Sequence, residues 1–282
     1  MFWRFLIARR VLIVMKMSPE KTSTEQSFHE YEKPPLSEIA VGVLYEALPG
    51  WQSRHVGQFW AEIAKEFPET QDQPPILNVS DRGPRFEILQ LPPLRRTFFI
   101  SRDQNYVIQS QDSRFLVNWR KIKETDVYPR FGAVFKEFLS AWGHFSDFVS
   151  REKLGSVRPT KYELTYVNHI EHADKPLADT VERYVKLFSW SRLSARFLAP
   201  PTGINTVWTF VLPDQLGFGQ ANLSQGVKSD GRGVVVLVMS CTGDASPKLS
   251  LNDWFATTHE WLVRGFGDLT TETAQMEWGK RK

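Results

Sequence analysis

Residues 105–120 read Asn105-Tyr-Val-Ile-Gln-Ser-Gln-Asp-Ser-Arg-Phe-Leu-Val-Asn-Trp-Arg120, and residues 129–149 read Pro129-Arg-Phe-Gly-Ala-Val-Phe-Lys-Glu-Phe-Leu-Ser-Ala-Trp-Gly-His-Phe-Ser-Asp-Phe-Val149. In the first segment Tyr106 and Ile108, then Phe115, Val117 and Trp119, alternate with polar residues, the period-two signature of half-buried antiparallel strands. Gln111-Asp-Ser113 supplies the turn between them. In the second segment Phe131, Val134, Phe135, Phe138, Trp142, Phe145 and Val149 share one helical face. Pro129 suits the first turn of that helix, where a missing N–H costs nothing. Together they predict a sheet with one face covered by a helix. The opposite face carries Val107, Gln109, Gln111, Leu116, Asn118 and Arg120, and a binding function is expected to start there.

Working outward, Pro34-Pro35 marks the entry to the folded body, and residues 1–33 read as a disordered or mis-started lead. Ile39, Val41, Val43 and Tyr45 alternate as a strand. A helix from about Ser53 carries Val56, Phe59, Trp60, Ile63 and Phe67, and Pro68 stops it. Gln71 to Pro84 reads as a loop, Phe86 to Leu89 and Thr97 to Ile100 as strands. The second half repeats this order. Tyr162, Leu164, Tyr166 and Asn168 alternate, and a helix with Pro176 in its first turn carries Leu177, Val181, Tyr184, Val185 and Phe188. Strands are then expected over Leu193–Leu198, Thr206–Leu212, Gln220–Val227 and Gly233–Ser240. Ser250 and Asp253 form a capping box that opens a last helix bearing Trp254, Phe255, Thr258, Trp261, Leu262 and Phe266.

Each half therefore spells strand, helix, about four strands, helix, with a boundary near residues 158 and 159. The expected class is α+β: two β-α-β4-α halves merging into one continuous antiparallel sheet with helices on one face. That order resembles the saddle of the TATA-binding-protein fold. The competing architecture is a helix-grip, a curved sheet around one long C-terminal helix. Neither fold fixes a function.

Composition narrows the classes. Ten Trp and twenty Phe among 282 residues exclude disorder for the bulk of the chain. A single cysteine, Cys241, rules out an internal disulfide framework and a Cys-rich zinc site. It reads as a small buried hydrophobe in a cytoplasmic, reducing setting. The formal charge of +3 comes from the ends: Arg4, Arg9, Arg10 and Lys16, then Lys280, Arg281 and Lys282. The body between them is mildly acidic, which argues against nucleic-acid binding. Residues 1–16 are too short and too interrupted by Arg9-Arg10 to span a bilayer. They read as a weak membrane-surface anchor or, preferably, as residues upstream of a natural start at Met17.

Several patches, in order, resemble a sporadically distributed bacterial family of similar length whose members have no established activity. They are Pro34 to Val41, Phe59-Trp60 with Phe67-Pro68, Asn118 to Lys121, Tyr128-Pro-Arg130, Tyr166 to Ile170, His259 to Thr270 and Glu277-Trp-Gly279. The resemblance implies no catalytic residue and no cofactor.

The chemistry-bearing residues support few enzyme classes. His259-Glu260 lacks the second His of a zinc-protease helix. Gly217-Phe-Gly219 and Gly231-Arg-Gly233 lack the following helix that would cradle a phosphate. His169, Glu171 and His172 have no partner cluster in the sequence to complete a metal site, and none is expected. The binding candidates are Asn118 and Arg120, extended by Gln109 and Gln111, with Asn222 and Ser224 in the second half. The expected function is a non-enzymatic interaction protein that takes a protein or peptide on the open polar sheet face. One alternative is nucleic-acid binding on the same face. The other is an enzyme with a site between the halves built from Asn168, His169 and His259.

Overall fold

The computed structural model describes residues 30–76, 95–171, 176–189, 197–228, 230–246 and 249–281. Its elements run β1 (Leu36–Tyr45), α1 (Ser53–Ile63), β2 (Glu69–Gln73), β3 (Arg96–Ile100), β4 (Tyr106–Gln111), β5 (Arg114–Arg120) and α2 (Phe131–Arg151). They continue with β6 (Pro159–Glu171), α3 (Leu177–Tyr184), β7 (Asn205–Val211), β8 (Phe218–Val227), β9 (Gly233–Asp244), α4 (Leu251–Leu269) and α5 (Glu272–Glu277). All nine strands form one antiparallel sheet in the order β2-β3-β4-β5-β1-β6-β9-β8-β7. The mixed α+β class and the single open antiparallel sheet are as the periodicity predicts.

Strand alternation sets which side chains meet the helices. Val41 of β1 pairs with Val117 and Leu164, and Val43 with Phe115 and Tyr162, so these six lie on one face. Helix α2 fits the same face with Val134, Phe138, Phe145, Phe148 and Val149, all buried. Phe145 stacks on Phe115 at 4.8 Å between centroids, and Phe59 of α1 meets Phe99, Phe115 and Phe145 edge-on. In the second half Tyr162 packs against Trp254 and Phe255 of α4. Phe255 in turn meets Phe135 and Phe138 of α2 at 5.3 and 5.5 Å, so the two long helices share one aromatic core. Each fully buried ring of this kind contributes roughly 1.5–3 kcal/mol by removal from water. Two long helices fill the face, which is not the single-helix arrangement of a helix-grip.

Local chemistry ends most elements as expected. The Ser250 side chain accepts the Asp253 N–H at 3.1 Å and opens α4. Thr271 does the same for Ala274 at 3.2 Å and opens α5, a short helix that the residue pattern does not predict. Several boundaries are corrected. Pro129 and Pro176 precede their helices, which begin at Phe131 and Leu177. Strand β2 falls where a loop was expected to begin, and pairs Glu69 to Gln73 with Ile100 to Arg96. The expected strand over Phe86–Leu89 lies outside the described residues, as do residues 193–196 of the expected strand at 193–198. Residues 30–33, expected in the lead, belong to the body: Tyr31 is buried, and Glu32 and Lys33 donate to the carbonyls of Gly279 and Trp278 at 3.1 and 3.0 Å.

Candidate functional site

The sheet face away from the helices carries the residues expected to bind. In the first half they are on that face but are not exposed. Asn118, Gln109 and Gln111 are only 3%, 6% and 8% accessible. They belong to a hydrogen-bonded chain across strands: Arg96 Nη1 donates to Gln109 Oε1 at 2.9 Å, Gln109 Nε2 to Asn118 Oδ1 at 2.8 Å, and Asn118 Nδ2 to Glu38 Oε1. Gln111 exchanges two bonds with the backbone of Ile76, at 3.0 and 3.2 Å. Arg120, half-buried, donates from Nε to the Gln104 carbonyl at 2.9 Å. The expectation of an open polar surface at these four residues is therefore corrected. Their polar groups are tied down, as buried polar atoms must be if they are not to cost stability.

Arg114 and Glu163 meet on this face at 3.7 Å, reaching over β1 where Gly42 has no side chain. A Cβ there would come within 2.8 Å of Leu116 and 3.0 Å of Glu163. Burial pushes the Glu163 carboxyl up, and the Arg114 charge opposes that shift.

The second half differs. Val207, Val211 and Phe218 stand on the same face at 52%, 78% and 58% accessibility. Thr209, Gln220 and Asn222 lie among them and Ser224 just beyond Val207, with Ser240 and Thr242 on β9 alongside. No Lys or Arg belongs to this face of β7, β8 and β9. Asn222 Oδ1 is buried and makes no hydrogen bond among the described residues. On its outer side β7 has no strand neighbour among them.

The other candidates converge in part. On the helix side a cavity of about 290 Å³ is lined by Glu30, Tyr31, Tyr128, Arg130, Tyr166, Asn168 and His259, together with Phe131 and Phe266. Asn168 and His259 thus meet in one cleft between the halves. His169 does not: its side chain alternates to the opposite face, while its N–H donates to Pro35. His172 lies outside the described residues. His259 Nδ1 is 2.8 Å from the Tyr166 hydroxyl, and its ring stacks on Phe131 at 4.1 Å and 11°. Burial lowers its pKa to about 4, so the imidazole is uncharged at neutral pH. Burial raises Tyr128 to about 12 and Tyr166 well above its ordinary value, so both phenols keep their protons. The Tyr128 hydroxyl faces that of Tyr166 closely enough for each to perturb the other's ionisation, yet it makes no hydrogen bond of normal geometry. Asn168 donates to the Leu237 carbonyl at 3.1 Å. The walls of this cleft are largely aromatic, with Glu30 and Arg130 as the charged residues of the lining. Sequence reasoning missed Tyr31, Tyr128 and Arg130 as part of it. The available signal was Tyr128-Pro-Arg130 at the entry to a long helix.

No helix of the described residues is long and apolar enough to cross a membrane. No protein-family model matches the chain, and a search of curated proteins finds no significant match.

Proposed function

We propose that this is a non-enzymatic binding protein, a duplicated saddle of the TATA-binding-protein kind that takes an extended protein or peptide segment on the β7–β9 part of its sheet face. Strand order supports the duplication. The order β3-β4-β5-β1 on one side of the centre is mirrored by β6-β9-β8-β7 on the other, with β1 answered by β6, β3 by β7, β4 by β8, β5 by β9 and α2 by α4, while β2 has no counterpart among the described residues.

The observation that carries the binding reading is the exposed trio Val207, Val211 and Phe218 at the edge strand β7 and its neighbour β8. An added strand would pair with the main chain of that edge and set alternate side chains against the apolar trio. A face with no Lys or Arg on β7, β8 or β9 suits a peptide and offers nothing to phosphate, whose neutralisation dominates nucleic-acid affinity.

The test is affinity capture from the native cell with wild type, Phe218→Asp and Val207→Asp. Partners held by wild type should be lost in both variants and kept in a Lys136→Ala control on the outer surface of α2. An unchanged partner set in the two Asp variants would sink the proposal.

A further inference from the structure

We infer that the cleft between the entry of α2 and the middle of α4 is a binding site for a small aryl carboxylate, with the ring among the aromatic walls and the carboxylate beside Arg130 at the start of α2. This site is on the opposite side of the sheet from the proposed peptide surface, and stands or falls independently of it.

The walls set the body of the ligand. Phe131, Tyr166, Phe266 and the uncharged His259 surround the cavity. His259 and Phe131 are already stacked nearly parallel, at 4.1 Å and 11°. A flat, uncharged ring matches such walls, and offset or edge contacts with aromatic side chains add to its burial. The Tyr128 hydroxyl faces that of Tyr166 at the cavity wall, and a ring substituent that accepts a hydrogen bond would give it an acceptor of better geometry.

The mouth sets the charge. Arg130 is exposed, donates from Nη1 to the Tyr31 carbonyl at 3.3 Å, and forms no ion pair among the described residues. Its backbone has φ 74°, a left-handed conformation that residues with a Cβ adopt at a cost and that clusters at functional sites. It precedes a helix of 21 residues with no side-chain cap and no acid in its first turn. The first N–H groups of a helix have no intrahelical acceptor and favour an anion. Here they belong to Phe131 and Gly132, both on the cavity wall. Glu30 is the single acid of the lining, and its carboxylate lies 3.9 Å from Arg281. One guanidinium with these N–H groups matches the two oxygens of a monoanionic carboxylate. No Lys and no second Arg lines the cleft to balance a phosphate dianion.

The experiment is calorimetric titration of the full chain with benzoate, 4-hydroxybenzoate, phenylacetate and indole-3-carboxylate, beside their amides and inorganic phosphate. At least one acid should bind saturably with one site per chain, and its amide about tenfold or more weaker, the loss of one charge-assisted contact. Arg130→Gln should weaken that acid by a similar factor and leave the amide unchanged. Tyr128→Phe should weaken 4-hydroxybenzoate selectively. Unchanged thermal transitions in both variants would show that their folds are intact. The inference is overturned if no acid binds, if acid and amide bind alike, if inorganic phosphate binds as tightly as the acids, or if Arg130→Gln binds as wild type does.

Discussion

The two halves of the sheet face away from the helices are built from the same alternation and end in opposite conditions. On β4 and β5 the outward residues Gln109, Leu116 and Asn118 are buried, and their polar atoms bond to one another and to Glu38 and Arg96. On β7 and β8 the outward residues Val207, Val211 and Phe218 are exposed, and Asn222 keeps a carbonyl oxygen without a hydrogen bond among the described residues. The difference teaches that alternation sets the direction of a side chain but not its accessibility. The same polar alternation is closed into a hydrogen-bonded network in the first half and left beside exposed apolar side chains in the second.

The largest expected effect separates the two regions outright. Leu116→Asp places a charge in a buried site and should cost about 4 kcal/mol or more, enough to unfold a marginal domain. Phe218→Asp, on the exposed strand, should stay within about 0.5 kcal/mol of wild type. Urea unfolding of the purified variants reads both. Equal losses would mean that the β7–β8 face is as buried as the β4–β5 face, and would erase the contrast.

A finer probe compares the two asparagines. Asn118→Ala leaves Gln109 Nε2 and the Glu38 carboxylate without their partner, and should cost about 2–3 kcal/mol. Asn222→Ala removes an unsatisfied oxygen and should change stability by about 0.5 kcal/mol or less.

The helix side sharpens the comparison by pH. Burial lowers the His259 pKa from 6.5 to about 4, so the folded state binds its proton less readily than the unfolded chain does. The stability this group contributes is complete above pH 6.5 and is lost as pH falls toward 4. At pH 5 wild type should have lost about 2 kcal/mol relative to His259→Gln, each measured against its own value at pH 7.5. A parallel pH dependence in both proteins would mean that the imidazole is solvated.

Much of the architecture was legible because the face that packs on helices writes its period into the sequence. Val41, Phe115, Val117 and Leu164 show it in the strands, and Phe138, Phe145, Phe255 and Leu262 in α2 and α4. Strand β2 was not legible. Glu69-Thr-Gln-Asp-Gln73 has no apolar alternation, and only pairing with β3 makes it a strand. The direction of Asn118 and Gln109 was legible from alternation, but their burial was not, because a strand's own residues do not say what lies over them. The cleft was half legible. Asn168 and His259 stood out as residue types, whereas Tyr31, Tyr128 and Arg130 join them only through the tertiary fold.

The pairing of Tyr31 to Lys33 with Trp278 to Arg281 has one more consequence. The body's first and last described residues are neighbours: the Arg281 N–H reaches the Glu30 carbonyl at 2.7 Å. Residues 30 and 281 therefore mark one spot on the surface of the body. Two tethered appendages there would be held at high mutual concentration, so that even a feeble attraction between them would count.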